Sequence, residues 1–230
     1  MLTLEEAQQI IGTKELSITK KMPFFSFGLP AQACITGAKL HEVPDSVCNK
    51  CYAWNRGNYS FPHVKDAQQR RLQNLSNPNW VEAMVILINH STTIVRRKGK
   101  DLDPRFFRWH DAGDLQSMQH LANICKICEQ LKKVRFWLPT REYGIVQAFI
   151  AQGGAIPKNL TIRLSAHMIG GPVPKALATK LGVQMSGVHL KDAPLPKGFT
   201  ECGAHTRENQ CGDCRACWDK RVKIVSYQKH

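Results

Sequence analysis

The sequence has no apolar run long enough to cross a membrane. Its best candidate, Met84-Val85-Ile86-Leu87-Ile88, falls far short of the roughly 20 residues a spanning helix needs, so no membrane partner is expected. No targeting signal is visible in the opening residues either. The opening Met1-Leu2-Thr3-Leu4-Glu5-Glu6 is acidic, without the basic stretch and apolar run of a targeting segment. The expected location is therefore cytoplasmic. There is no internal repeat and no low-complexity stretch. Acidic residues are scarce: 18 Asp and Glu stand against 32 Lys and Arg, for a net charge of +14. That imbalance attracts polyanions, of which nucleic acid is the commonest. Nine cysteines cannot all pair, and a reducing compartment disfavours disulfides in any case.

The 230 residues leave room for one large domain with a real core. Thr3 with Glu6 three residues later forms a capping-box signature, and Gly12 is a stop, so a first helix lies between them. The run Met22 to Leu29 reads as a buried strand. Residues 30 to 60 mix Cys, Pro, Gly and Asn without a period and read as a long loop. Such loops in compact domains are functional or disordered, and three cysteines point to function. Two helices follow, over about 62 to 75 and from Pro78 to about Lys98. Strands are then predicted at Phe106 to His110, Val134 to Leu138, Leu160 to Ser165, Val183 to Leu190 and Val222 to Tyr227. Helices are predicted over Leu115 to Leu131, Gly144 to Gln152 and Pro174 to Leu181. This alternation is the βαβ signature of a parallel sheet, open or rolled into a full or partial barrel. Polar groups gather where the strands end: His110-Asp111-Ala112-Gly113-Asp114, Thr140-Arg141-Glu142, Ser165-Ala166-His167, and Ser186 to His189. Strand C-terminal ends are where such folds keep their sites, so these clusters are expected to share a pocket.

Seven of the nine cysteines fall into two sets with metal-ligand spacing. The second set is Cys202 followed by Cys211-Gly-Asp-Cys214-Arg-Ala-Cys217. Three thiolates at C-x2-C-x2-C suit three irons of a [4Fe-4S] cluster, with Cys202 as the fourth ligand. Zinc is the competing occupant, although it usually takes two separated C-x2-C knuckles. The first set, Cys34, Cys48 and Cys51, has no obvious fourth member. It suits a cluster with one iron left open, or a zinc site completed by His41 or His63. Cys125 and Cys128 sit mid-helix at i, i+3 and read as core packing.

The Cys48-Asn-Lys-Cys51-Tyr52-Ala53 stretch, placed after a first strand, resembles the end of the cysteine loop in radical S-adenosylmethionine (SAM) enzymes. The usual loop there is C-x3-C-x2-C; here it is C-x13-C-x2-C. More specifically, the chain resembles a phage protein family described only as gene product 88. The resemblance lies in Cys34, Cys48 to Ala53, Arg108 to Asp114, Phe136 to Arg141, Arg163-Leu-Ser165 and Cys211 to Trp218. It implies a partial (β/α)6-type barrel over residues 1–195 and a C-terminal Cys-rich cluster-binding segment over 196–230.

The resemblance also implies roles. Cys34, Cys48 and Cys51 would hold a cluster that binds SAM. Tyr52, His110, Gly113, Asp114, Thr140, Arg141 and Ser165 would contact SAM, and Asp111, Asp114 and His167 would serve catalysis. Implied too are an external electron donor and a 5′-deoxyadenosyl radical acting on DNA, isomerising an amino-acid-modified thymine during phage DNA hypermodification. Basic pairs such as Lys20-Lys21, Arg70-Arg71, Arg96 to Lys100 and Lys220 to Lys223 fit that DNA partner. Trp54, Arg56 and Tyr59 are candidates for stacking on a base. Two other classes stay open: a non-catalytic zinc- or cluster-bound nucleic-acid-binding protein, and an iron–sulfur nuclease using Asp111, Asp114 and Glu142.

Overall fold

The computed structural model describes residues 1–97 and 99–229. Its first helix, α1 (Leu4–Ile11), starts as the sequence dictates. The Thr3 hydroxyl accepts from the Glu6 N–H, and the Glu6 carboxylate accepts from the Thr3 N–H in return. Gly12 ends the helix at φ 77°. A Cβ there would lie 2.7 Å from the Arg70 Cβ, so backbone conformation and space both require glycine.

Ten strands and eight helices are seen among the described residues. The helices after α1 are α2 (Ile35–His41), α3 (Tyr52–Asn55), α4 (Pro62–Gln73), α5 (Trp80–Thr92), α6 (Met118–Gln130), α7 (Tyr143–Ala151) and α8 (Lys175–Leu181). The strands are β1 (Ser17–Ile18), β2 (Phe25–Phe27), β3 (Arg96–Arg97), β4 (Lys100–Asp101), β5 (Phe106–Trp109), β6 (Arg135–Thr140), β7 (Leu160–Ser165), β8 (Gln184–His189), β9 (Phe199–Glu201) and β10 (Ile224–Gln228). Eight strands form one sheet in the order β1-β2-β5-β6-β7-β8-β10-β9, and β3 pairs with β4 separately. Every neighbouring pair in the large sheet is parallel except β1 with β2. The sheet has β1 and β9 at its edges, so the structure shows a mostly parallel α/β sheet and not the expected partial (β/α)6-type barrel.

Strands β5 to β8 are added in chain order on the same side. Right-handed crossovers then put the intervening helices on one face. Residues of α6, α7 and α8 accordingly join one core with Phe107, Phe136, Ile162 and Met185 from the strands. Strand β7 shows the consequence of a sheet covered twice. Leu160, Ile162 and Leu164 point into the helix-side core, while Thr161, Arg163 and Ser165 face the opposite side, and all six are buried. What covers that opposite face is the C-terminal segment. Trp218 and Cys217 pack with Phe106, Trp137 and Val225, and the Trp218 indole donates to the Phe107 carbonyl at 2.8 Å. Residues 196–230 thus supply two strands to the sheet as well as a cover for its inner face.

Several elements differ from the sequence expectation. The loop from 30 to 60 contains α2 and α3. Helix α5 stops at Thr92, before the β-branched run Thr93-Ile94-Val95. The expected end of that helix at Lys98 lies outside the described residues. Cys125 and Cys128 are core residues of α6, as their spacing implies.

His110 and His120 are buried edge to face, 5.2 Å between ring centroids. Burial alone pushes the pKa of His120 down to about 3, against roughly 6.5 in the unfolded chain. A depressed histidine contributes stability in full above its unfolded pKa, and loses it as pH falls from there toward the folded value. Acid should therefore erode stability below pH ~6.5 by several kcal/mol through this residue. In a denaturation series across pH, His120→Gln should show a shallower loss; an identical pH slope for the two proteins would refute this.

Candidate functional site

The strand ends and both cysteine sets face one chamber of about 1410 Å³ on the inner side of the sheet. A smaller hollow of about 220 Å³, at Ile150, Gly154 and Leu181, lies away from every candidate residue.

The first cysteine set is built by the long spacer. Residues between Cys34 and Cys48 fold as α2 and a turn that docks on the exit of β7. Val47 donates to the His167 carbonyl at 2.8 Å, Ile169 to the Asp45 carbonyl at 3.0 Å, and Ser46 bridges Met168. Glu142, at the end of β6, accepts from the Thr36 N–H at 2.8 Å and its hydroxyl at 2.7 Å. A carboxylate at the first turn of α2 suits the helix dipole, and it fixes Cys34, the residue preceding that turn. Gly37 completes the arrangement. A Cβ on it would lie 3.5 Å from the Cys34 sulfur and 3.6 Å from the Cys48 sulfur, so the two thiols look onto the same small space. Burial is the main cause raising the pKa of both thiols. Asp114 and the neighbouring thiols push the same way, while Arg141 opposes them at Cys48.

The second set is held by Arg163. Its side chain is fully buried and donates to five carbonyls: Cys217 at 3.0 Å, Met185 at 3.1 Å, Ala216 at 2.7 Å, Asp219 at 3.0 Å and Val222 at 3.0 Å. Four of these belong to the C-terminal segment. Cys202 is tied by its N–H to the Ser226 carbonyl and Cys211 to that of Lys21. The Cys217 sulfur lies 3.4 Å from the Tyr227 hydroxyl. Cys202, Cys211 and Cys217 line the chamber, whereas Cys214 is exposed. Among the described residues no three His, Cys, Asp or Glu close on a point tightly enough to hold a single metal ion.

The strand-end residues separate into two kinds. Asp111, Gly113, Asp114, Arg141 and Ser165 line the chamber beside Tyr52. Thr140 and His167 do not: the Thr140 hydroxyl accepts from the Glu142 N–H at 3.0 Å, and the His167 ring stacks on Tyr143. His110 touches the chamber, but at φ 55° its ring turns toward Phe27, Trp109 and His120. Both its ring nitrogens lack partners, and burial keeps it neutral. The Asp114 carboxylate accepts from the N–H groups of Leu115 at 2.7 Å and Arg141 at 2.8 Å, which joins the ends of β5 and β6. Burial nevertheless lifts its pKa to about 6. Asp111 accepts from the Tyr59 hydroxyl on one oxygen; the other is buried without a partner.

The residues that sequence reasoning missed are Arg163 and Glu142 as positioning groups and Gly37 as the spacer between thiols. None carries a local signal, since each acts on a segment distant in the chain.

Fold and site together define an α/β protein whose mostly parallel sheet presents strand-end polar groups and two cysteine sets to a common chamber. The profile of gene product 88 matches residues 1–220, and the chain belongs to that family. Comparison with curated proteins and with solved structures gave no match. No helix among the described residues is long and apolar enough to cross a membrane.

Proposed function

We propose that this protein is an iron–sulfur enzyme of radical SAM type that acts on DNA, isomerising an amino-acid-modified thymine in phage DNA. The observation that carries the reading is the cradle around Gly37, where the Cys34 and Cys48 sulfurs face one space at the C-terminal edge of the sheet. Nearly monotonic parallel strands support treating the sheet as the wall of a partial (β/α) barrel.

The donor set suits clusters better than zinc. Zinc usually takes two separated C-x2-C knuckles, which the C-x2-C-x2-C run from Cys211 to Cys217 does not form. A cuboidal cluster takes each thiolate at a separate iron and so accepts a wider spread. Buried thiols beside carboxylates stay protonated on their own; bound iron reverses that preference. Cys34, Cys48 and Cys51 would hold one cluster, and Cys202, Cys211, Cys214 and Cys217 the other. When bound, the first would supply the electron for reductive cleavage of SAM, with an external donor restoring it.

The chain's own residues do the rest. Glu142 and Gly37 keep the first thiol set open to the chamber. Arg141 brings a cation to the chamber wall, and the Asp111 oxygen without a partner offers an acceptor for an amino group. The inner sheet face and the C-terminal cover exclude water from the chamber floor. Half-exposed Tyr52 and Phe61, with Trp54 stacked on His41, present ring faces beside the opening that suit nucleic-acid bases. The nuclease alternative would rest on Asp111, Asp114 and Glu142, of which Asp114 and Glu142 already accept on both oxygens from protein donors.

Anaerobically purified protein should be brown, with iron and sulfide near two clusters per chain. Its binding to DNA should weaken steeply with salt as counterions are released. Colourless protein carrying stoichiometric zinc would overturn the enzyme reading.

A further inference from the structure

We propose that Arg108 anchors an oxyanion, phosphate or carboxylate, carried by a ligand of the chamber. The inference stands on the chamber's own charges and does not depend on the radical chemistry.

Arg108 sits on the inner face of β5, in register with Ser26 of β2 and Trp137 of β6. Its guanidinium lies over the Trp137 ring, 4.7 Å from the centroid. Stacking fixes the plane and leaves the donor fork directed sideways, the geometry that grips a carboxylate or phosphate with two hydrogen bonds. The position lies between the two cysteine sets. Tyr52, next to Cys51, faces it from one side, and Tyr227, next to the Cys217 sulfur, faces it from the other.

Arg163, Arg71 and Arg215 have their terminal nitrogens occupied by the protein, although the Nε of Arg71 and of Arg215, like that of Arg108, is buried without a partner. Arg163 serves five carbonyls. Arg71 serves the Ser17 and Thr13 hydroxyls and the Glu15 and Gly28 carbonyls. Arg215 pairs with Asp103. Arg108 has the Met22 sulfur at 3.9 Å and a hydrogen bond to the Tyr52 hydroxyl, and its buried Nε has no partner. Among the described residues no carboxylate oxygen comes within the 4.0 Å of an ion pair to it. The one carboxylate that faces it, Asp111, also faces Arg71 and is held by the Tyr59 hydroxyl. Two guanidinium groups thus share one carboxylate, on a wall that also carries Arg56 and Arg141, so positive charge is in excess there. A guanidinium held over a ring with its Nε unmatched keeps a donor free for an anion. A ligand oxyanion in this place satisfies the fork and the excess charge together.

The test uses the full chain in a low-salt, phosphate-free buffer, with inorganic phosphate and N-acetylglycine as probes. Calorimetry and thermal unfolding are read for the wild type, R108M, R108K and the surface control K126Q, on the exposed side of α6. The wild type should bind at least one probe; phosphate alone marks a phosphate site, and N-acetylglycine alone a carboxylate site. R108M should bind at least tenfold more weakly, R108K should fall between, and K126Q should match the wild type. Added probe should raise the melting temperature of the wild type and leave that of R108M unchanged. A merely structural Arg108 gives the opposite pattern: lower melting of R108M with binding unchanged. That pattern, or a wild type that binds neither probe, overturns the proposal. Should R108M fail to fold, R108K decides: binding equal to the wild type counts against an anchoring fork.

Discussion

Cys51→Ala protein, reconstituted with iron and sulfide and reduced, is expected to release no 5′-deoxyadenosine from SAM, while the wild type does so. Three thiols face the chamber at the strand ends, and a cluster that leaves one iron for SAM needs all of them. The second set, Cys202, Cys211, Cys214 and Cys217, is anchored independently through Arg163 and the Lys21 and Ser226 carbonyls. Iron at that set should survive, so the variant should keep about half of the wild-type iron and remain folded, since metal and fold are coupled site by site. Undiminished 5′-deoxyadenosine release from Cys51→Ala, or none from the wild type, would remove the radical reading.

The second large effect is on stability. Arg163→Met should cost at least about 4 kcal/mol, because it strands five buried carbonyls and frees the cover of the inner face. The loss should be local in origin. Cys217, 8% exposed in the native protein, should become reactive to a thiol reagent before the helix-side core unfolds. Arg163→Lys should rescue little, as an ammonium cannot span carbonyls from Met185 to Val222. Denaturant unfolding and timed thiol labelling measure both effects. A change under about 1 kcal/mol with Cys217 still protected would show that the cover holds itself.

Much of the frame was legible because it is local. The Thr3 and Glu6 box, the Gly12 stop and the alternation of β5 to β8 with α6 to α8 rest on neighbours in the chain. The polar clusters after those strands were legible for the same reason, and residues of all four line the chamber. What escaped depends on distant partners. Helix α2 carries Gly37 in its middle and starts without a side-chain cap of its own; its first turn is satisfied by Glu142, 106 residues away. Strand β1 is two residues long and exists through pairing with β2. Arg163 in a strand reads as a solvent position until the C-terminal segment is laid over it. The roles implied for His110 and Thr140 meet a similar limit: sequence places a residue at a strand end but not the direction of its ring or hydroxyl.

Strand β10 lies inside the sheet, with β8 on one side and β9 on the other. During synthesis the ribosome must therefore deliver residue 228 before the wall can be finished. Until then β8 shows a bare edge and Trp137 an uncovered face, both of which invite association with other nascent chains. Assembly of the two thiol sets is ordered in time by the same fact. The first can gather once Glu142 and the exit of β7 have emerged, while the second waits for the last strand.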